Sequence, residues 1–200
     1  MEQRTVYTIG HSNHPIEHFV ELLRQHAIEA VGDVRSSPFS RHNPQFTKAA
    51  LQASLRSAGI KYVFLGRELG ARPGDPACYE RGAVSYDKLA ATDIFREGLS
   101  RVERGTADYR LALMCAERDP LDCHRTILVS RHLVARGARV LHILADGTIE
   151  AHDVAIGRLL DRLKLSTTDF FRSREDTVRE AYELQRASIA YVDREPVETP

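Results

Sequence analysis

Tyr109-Arg110-Leu111-Ala112-Leu113-Met114-Cys115-Ala116-Glu117-Arg118-Asp119-Pro120-Leu121-Asp122-Cys123-His124-Arg125 carries the pattern that decides the fold: an apolar run, a polar loop, and the start of a helix. Tyr109 to Met114 reads as a buried strand, and Cys123 to Arg136 shows helical spacing at Ile127, Leu128, Leu133 and Val134. Pro120 and Asp122 sit where helix-start signals belong. A helix starting here aims free backbone N–H groups and the positive end of its dipole at the loop, which favours anions and thiolates. Two thiols, an acid, an imidazole and two guanidinium groups in this loop suit a reactive thiolate, an anion cradle or a metal site.

Outward from that unit the alternation repeats. Val6 to Ile9 is a short strand ending at Gly10-His11-Ser12, and the stretch from Pro15 to Gln25 is helical through Phe19, Leu22 and Leu23. Ala30 to Val34 is a second strand, followed by the polar loop Arg35 to Arg41 and a helix over about Lys48 to Ala58. Lys61 to Phe64 is a third strand. Leu65 to Tyr86 is rich in Gly and Pro without a clear period, and a loop of that length in a compact domain is usually functional or mobile. A helix over about Thr92 to Glu103 leads into the quoted segment, and Arg139 to Leu144 is a last strand. His142 and His152 flank Asp146-Gly147, a hairpin-type turn signal. Strands alternating with helices predict an α/β fold, a single domain with a mostly parallel sheet flanked by helices. Residues 1–152 form that domain, and 153–200 form a helical C-terminal extension packed on it.

The chain has 200 residues, 42% hydrophobic and 28% charged, enough for one substantial core. Its 28 basic and 28 acidic residues balance, so bulk charge advertises neither a nucleic acid nor a membrane. No run of about 18 apolar residues and no basic start followed by an apolar stretch is present, so no membrane partner and a cytoplasmic location are expected. Three cysteines fit reduced thiols better than a disulfide framework, although Cys115 and Cys123 remain a candidate redox couple. The apolar side of the tail leaves a homodimer open.

Loops at the carboxyl ends of neighbouring parallel strands cluster on one edge, and ligands bind there. That rule gathers Gly10-His11-Ser12, Asp33 with Arg35 to Arg41, and Cys115 to Arg125. Together with Leu65-Gly66-Arg67-Glu68-Leu69-Gly70, these motifs resemble the DUF488 family of uncharacterised bacterial and archaeal proteins over residues 5 to 155. The resemblance implies a compact α/β domain with the motif residues as its functional positions, and supplies no reaction. Leu69-Gly70-Ala71 departs from the two consecutive glycines frequent in the family.

Within the gathered loops Cys123 is the expected nucleophile, next to a helix start and beside His124 and Arg125. His124 or His11 would transfer protons, and Asp33 and Glu117 would orient them. Cys115, at the end of a central strand, belongs to the core or to the pocket. Arg35, Arg41, Arg118 and Arg125, with Ser12, Ser36 and Ser40, form a candidate clamp for an oxyanion, since guanidinium forks bind such groups bidentately. The alternatives for these residues are a structural Asp33 ion pair, Ser12 as the cap of the Pro15 helix, and solvated arginines. Neither cysteine starts the Cys-x5-Arg loop of thiol phosphatases, and neither C-x2-C nor the His-x-Glu with Pro-Cys-x-x-Cys pattern of zinc deaminases occurs.

The leading expectation is therefore an intracellular enzyme binding a phosphate-bearing substrate, a nucleotide or nucleic-acid component. Its cofactor is open: none is expected, and a metal ion is the alternative. A non-catalytic binding module for such ligands and a thiol- or metal-based sensor are the rivals. Cys115, Cys123, His124 and His11 are the candidate metal ligands.

Overall fold

The computed structural model describes residues 3–165 and 172–193, so residues 166–171 and 194–200 of the expected tail lie outside it. In chain order the elements are β1 (Thr5–Gly10), α1 (Ile16–Gln25), β2 (Ala30–Asp33), α2 (Lys48–Ser57) and β3 (Lys61–Phe64). There follow α3 (Gly66–Leu69), a short hairpin of β4 (Tyr79–Glu80) and β5 (Ala83–Val84), α4 (Tyr86–Ala90) and α5 (Asp93–Asp108). The chain continues through β6 (Leu111–Cys115), a π-helical stretch Arg125–Ser130 running into α6 (Arg131–Ala135), β7 (Arg139–Ile143), β8 (Ile149–Ala151), α7 (His152–Arg162) and α8 (Arg174–Ile189).

The sheet runs β3-β2-β6-β1-β7-β8, with the first five strands parallel and β8 antiparallel to β7. Alternation along β6 shows why both faces must be covered. Ala112 and Met114 pack with Phe19 and Leu23 of α1 and Leu51 and Leu55 of α2 on one face. Leu111, Leu113 and Cys115 face the other, against Phe95 and Leu99 of α5, Leu133 of α6, Leu159 of α7 and Ala181 of α8. The result is a single α/β domain of three layers, and among the described residues no helix is long and apolar enough to cross a membrane.

Several local expectations are corrected. The Leu65 to Tyr86 segment is not shapeless: it holds α3, a 3-10 turn at Pro76–Cys78 capped by Asp75, and the β4–β5 hairpin. The turn at Gly147 (φ 83°) returns the chain as β8, a strand too short to show a period. Ser12 does not cap α1. It has φ 49°, its hydroxyl donates to Asn13, and Pro15 precedes the helix without a side-chain cap. The helix after His124 opens as a π-helix, a wide turn often found at functional sites, with Ser130 Oγ donating to the Arg125 carbonyl at 2.7 Å.

A buried polar chain ties the sheet to its C-terminal helices. Thr8 Oγ1 lies 2.7 Å from His142 Nδ1, His142 Nε2 lies 3.1 Å from His152 Nδ1, and His152 Nε2 lies 2.8 Å from the Tyr182 hydroxyl. Every ring nitrogen is engaged, and protonating both rings would set two donors against each other between His142 and His152. Burial lowers His152 to about 4, and burial followed by the positive potential of His152 and Arg125 holds His142 well below its ordinary value. The unfolded chain takes up these protons near pH 6.5, where the folded chain does not. Stability should therefore fall as pH drops from about 6.5 to about 4, at about 1.4 kcal/mol per pH unit for each histidine. Denaturation midpoints measured across that range should show the loss, and His152→Gln should make it shallower; an equally steep loss in that variant would assign the acid sensitivity elsewhere.

Candidate functional site

The parallel register brings three strand ends together, with Gly10 of β1 opposite Cys115 of β6 and Asp33 of β2 opposite Met114. His11 N–H donates to the Cys115 carbonyl and Ser12 N–H to the Ala116 carbonyl, both at 2.9 Å, so the first loop continues the pairing beyond the strand. The contact is close: a Cβ on Gly10 would come within 1.9 Å of the Glu117 carbonyl oxygen. Gly66 has the same role opposite the Arg35 carbonyl, where a Cβ would also approach to 1.9 Å.

Asp33 is the anchor of the second loop. Its fully buried carboxylate accepts from Arg35 Nε at 2.9 Å, Arg35 Nη2 at 2.7 Å, the Arg35 N–H at 3.1 Å and the Tyr62 hydroxyl at 2.9 Å. Arg35 Nη1 then donates to the Phe46 carbonyl at 2.9 Å and to His11 Nε2 at 3.1 Å. His11 Nδ1 donates to the Ser12 carbonyl at 2.7 Å, and its ring stacks on Phe46 with centroids 4.2 Å apart. Both ring nitrogens are thus occupied. Burial, followed by the repulsion of Arg35, lowers His11 to about 4, so it stays neutral and holds the loop.

Beside this frame lie Cys115, Cys123 and His124, whose ligand atoms all fall within 4.8 Å of one another. His124 Nδ1 is 3.8 Å from each sulfur, and Nε2 donates to the Val34 carbonyl at 3.1 Å. The Arg125 N–H donates to Cys123 Sγ at 3.4 Å. Burial opposes charge at Cys123, but a thiol proton from Cys115, the Arg125 guanidinium and His124 together hold it well below the ordinary thiol value. Cys115, giving that hydrogen bond and buried itself, is pushed well up. Burial also opposes charge on His124, and the Cys123 sulfur beside it reverses the sign and raises it. Glu117 is raised as well, by burial of its carboxyl and then by the Cys123 sulfur.

Several of these groups line a cavity of about 880 Å³. Cys115, Glu117, His124, His11 and Arg35 line it, as do Ser12, Ser36 and Ser40. Cys123, Asp33 and Arg125 stand behind that surface, and Arg41 and Arg118 are exposed outside it. The four arginines therefore do not converge on the cavity. Arg35 is held by Asp33, while Arg125, 1% exposed, donates to the carbonyls of Glu117 at 2.8 Å and Arg118 at 3.3 Å.

The wall contains residues that sequence reasoning missed. Arg72 and Tyr191 line it, with the guanidinium 4.4 Å from the ring centroid and in no ion pair among the described residues. Tyr191 arrives because the chain beyond α8 pairs with β5: Val84 N–H donates to the Tyr191 carbonyl at 2.9 Å, and Val192 bridges Ala83. Tyr86, buried at the start of α4, is raised by burial and by both cysteines. The available signal was the long irregular segment itself, in which Arg72 and Tyr86 lie. Cys78 is buried away from the cavity, beneath the hairpin.

A family model described as "Domain of unknown function DUF488" matches residues 15–132, from the start of α1 into α6. No curated protein and no solved structure matches the chain.

Removing one member of a buried ion pair strands the other, at a cost of about 3–5 kcal/mol. Asp33→Ala should lose stability on that scale in urea unfolding. Tyr62→Phe should lose less, about 1.5–3 kcal/mol, because a single hydrogen bond to the carboxylate is removed; equal losses in the two variants would contradict the anchoring role of the pair.

Proposed function

This chain belongs to the DUF488 family, and we propose that it is an enzyme acting on a phosphate-bearing small molecule of nucleotide size at the Cys115–Cys123–His124 cluster. The observation that carries this reading is the placement of that cluster in the floor of a cavity whose volume, about 880 Å³, falls in the range of small-molecule sites. A buried cysteine and histidine in an apolar core would need no such access. Hydroxyl and amide groups of Ser12, Asn13, Ser36 and Asn43 line the walls and can meet a polar ligand. Arg72 is the guanidinium available to a phosphate, and the Tyr191 ring beneath it offers a face for a planar group.

The roles follow from position. Cys115 is the sulfur in the cavity wall, with Cys123 directly behind it and His124 between the two as the group that accepts or returns a proton. Glu117, in the same wall, is the carboxyl able to exchange a proton with a ligand. Asp33, Arg35 and His11 are positioning residues, since the first two neutralise each other and His11 has no free nitrogen.

The test is a panel of nucleotides and sugar phosphates, with binding followed calorimetrically and turnover by mass spectrometry of products. Arg72→Ala should weaken binding by about ten- to a hundredfold, the cost of losing a charge-assisted hydrogen bond. Cys115→Ser and Cys123→Ser should retain binding and lose about a hundredfold or more in turnover. Binding without any turnover that depends on the cysteines would assign the cavity to recognition alone.

A further inference from the structure

We propose that Cys115 Sγ, Cys123 Sγ and His124 Nδ1 bind one divalent ion of the zinc type, with a fourth coordination position open to the cavity. The inference rests on the reading above that this cluster is the reactive centre of the site, and specifies what the cluster holds; with an ion bound, His124 is a ligand and Glu117 alone is left to exchange protons.

Distances come first. Zinc–sulfur bonds of about 2.3 Å and zinc–nitrogen bonds of about 2.0–2.1 Å in a tetrahedron set sulfur and nitrogen about 3.6 Å apart. Both sulfurs stand 3.8 Å from His124 Nδ1, and no two of the three atoms are more than 4.8 Å apart. Closing on an ion therefore needs only small rotations. The three residues come from two firmly held places, the end of the central strand β6 and the bend before the π-helix.

The surroundings agree. His124 Nε2 gives its proton to the Val34 carbonyl, which turns the Nδ1 lone pair toward the two sulfurs; metal-bound histidines are oriented by the same kind of bond. The Arg125 N–H supports Cys123 Sγ as it would a ligand thiolate. Thiolate and imidazole donors select zinc-type ions over magnesium or calcium. Cys115 and His124 line the cavity and Cys123 does not, so the cluster meets solvent and ligand on one side. Three protein ligands with one open side is the arrangement of catalytic rather than structural zinc. The open position would take a water molecule, with Glu117 in the adjoining wall as its hydrogen-bond partner. His11 is excluded as a fourth ligand because its nitrogens are bound to Ser12 and Arg35.

The experiment uses the full chain, purified without a metal-affinity tag, and combines elemental analysis with titration of cobalt(II) into reduced, metal-stripped protein. The expected result is about one ion per chain and a thiolate-to-cobalt charge-transfer band with intense tetrahedral bands. Both should be lost in Cys115→Ser, Cys123→Ser and His124→Ala and kept in Cys78→Ser. If those variants do not fold, the cobalt spectrum of the unaltered chain decides the matter. Trace metal and no cobalt spectrum with both thiols reduced would overturn the site, and so would a Cys115–Cys123 disulfide that re-forms in preference to metal binding. Cysteine-dependent turnover in metal-free protein would overturn the metal and leave the enzyme reading standing. A stoichiometric ion with no ligand binding in the cavity would support the metal and remove the enzyme reading.

Discussion

The Asp33–Arg35 pair is the constraint around which this edge of the sheet is organised. A carboxylate at the end of a strand buried on both faces is costly unless its lone pairs are filled, and here two guanidinium nitrogens, a backbone N–H and the Tyr62 hydroxyl fill them. The guanidinium gives both Nη1 hydrogens to the Phe46 carbonyl and to His11. One ion pair thereby fixes four segments: the end of β2, strand β3, the loop before α2, and the loop after β1. The cavity keeps its shape because Arg35 in its wall is held from behind by Asp33.

A second buried charge governs the neighbouring loop. Arg125 is 1% exposed and has no carboxylate partner among the described residues; it binds the Glu117 and Arg118 carbonyls and faces Cys123. A cation held there without a carboxylate favours negative charge on the Cys123 sulfur and lowers its pKa. The same guanidinium folds the Cys115-to-Cys123 loop back over Gly10, which no side chain could replace. What closes the loop therefore also lowers the pKa of one sulfur.

The α/β alternation, the parallel sheet and the convergence of three polar loops were legible because each rests on local periodicity and on a general rule of parallel sheets. An ion pair at Asp33 was legible as an alternative for a similar reason, since a carboxylate ending an apolar run needs a cation nearby, but whether Arg35 or Arg125 would supply it was not. The supposed arginine clamp was not. Guanidinium groups look alike in a sequence, and whether one faces a ligand or a buried carbonyl depends on how far its loop folds inward. Arg72 and Tyr191 escaped notice because they meet only when the chain after α8 pairs with β5, a contact between segments more than a hundred residues apart.

The sequence by itself determined the layered α/β class, the polar loops that meet at one edge of the sheet and the concentration of thiol, imidazole and guanidinium groups between Cys115 and Arg125. All of these follow from residue types at short spacing. Only the tertiary structure decided which sulfur faces the cavity, that His11 is bound on both nitrogens, that His124 turns Nδ1 toward both thiols, and that a guanidinium on a tyrosine forms the far wall. Those are outcomes of strand register and of long-range closure. A shift of one residue in the pairing of β1 with β6 would turn His11 and Cys115 away from each other's surroundings without changing a single motif.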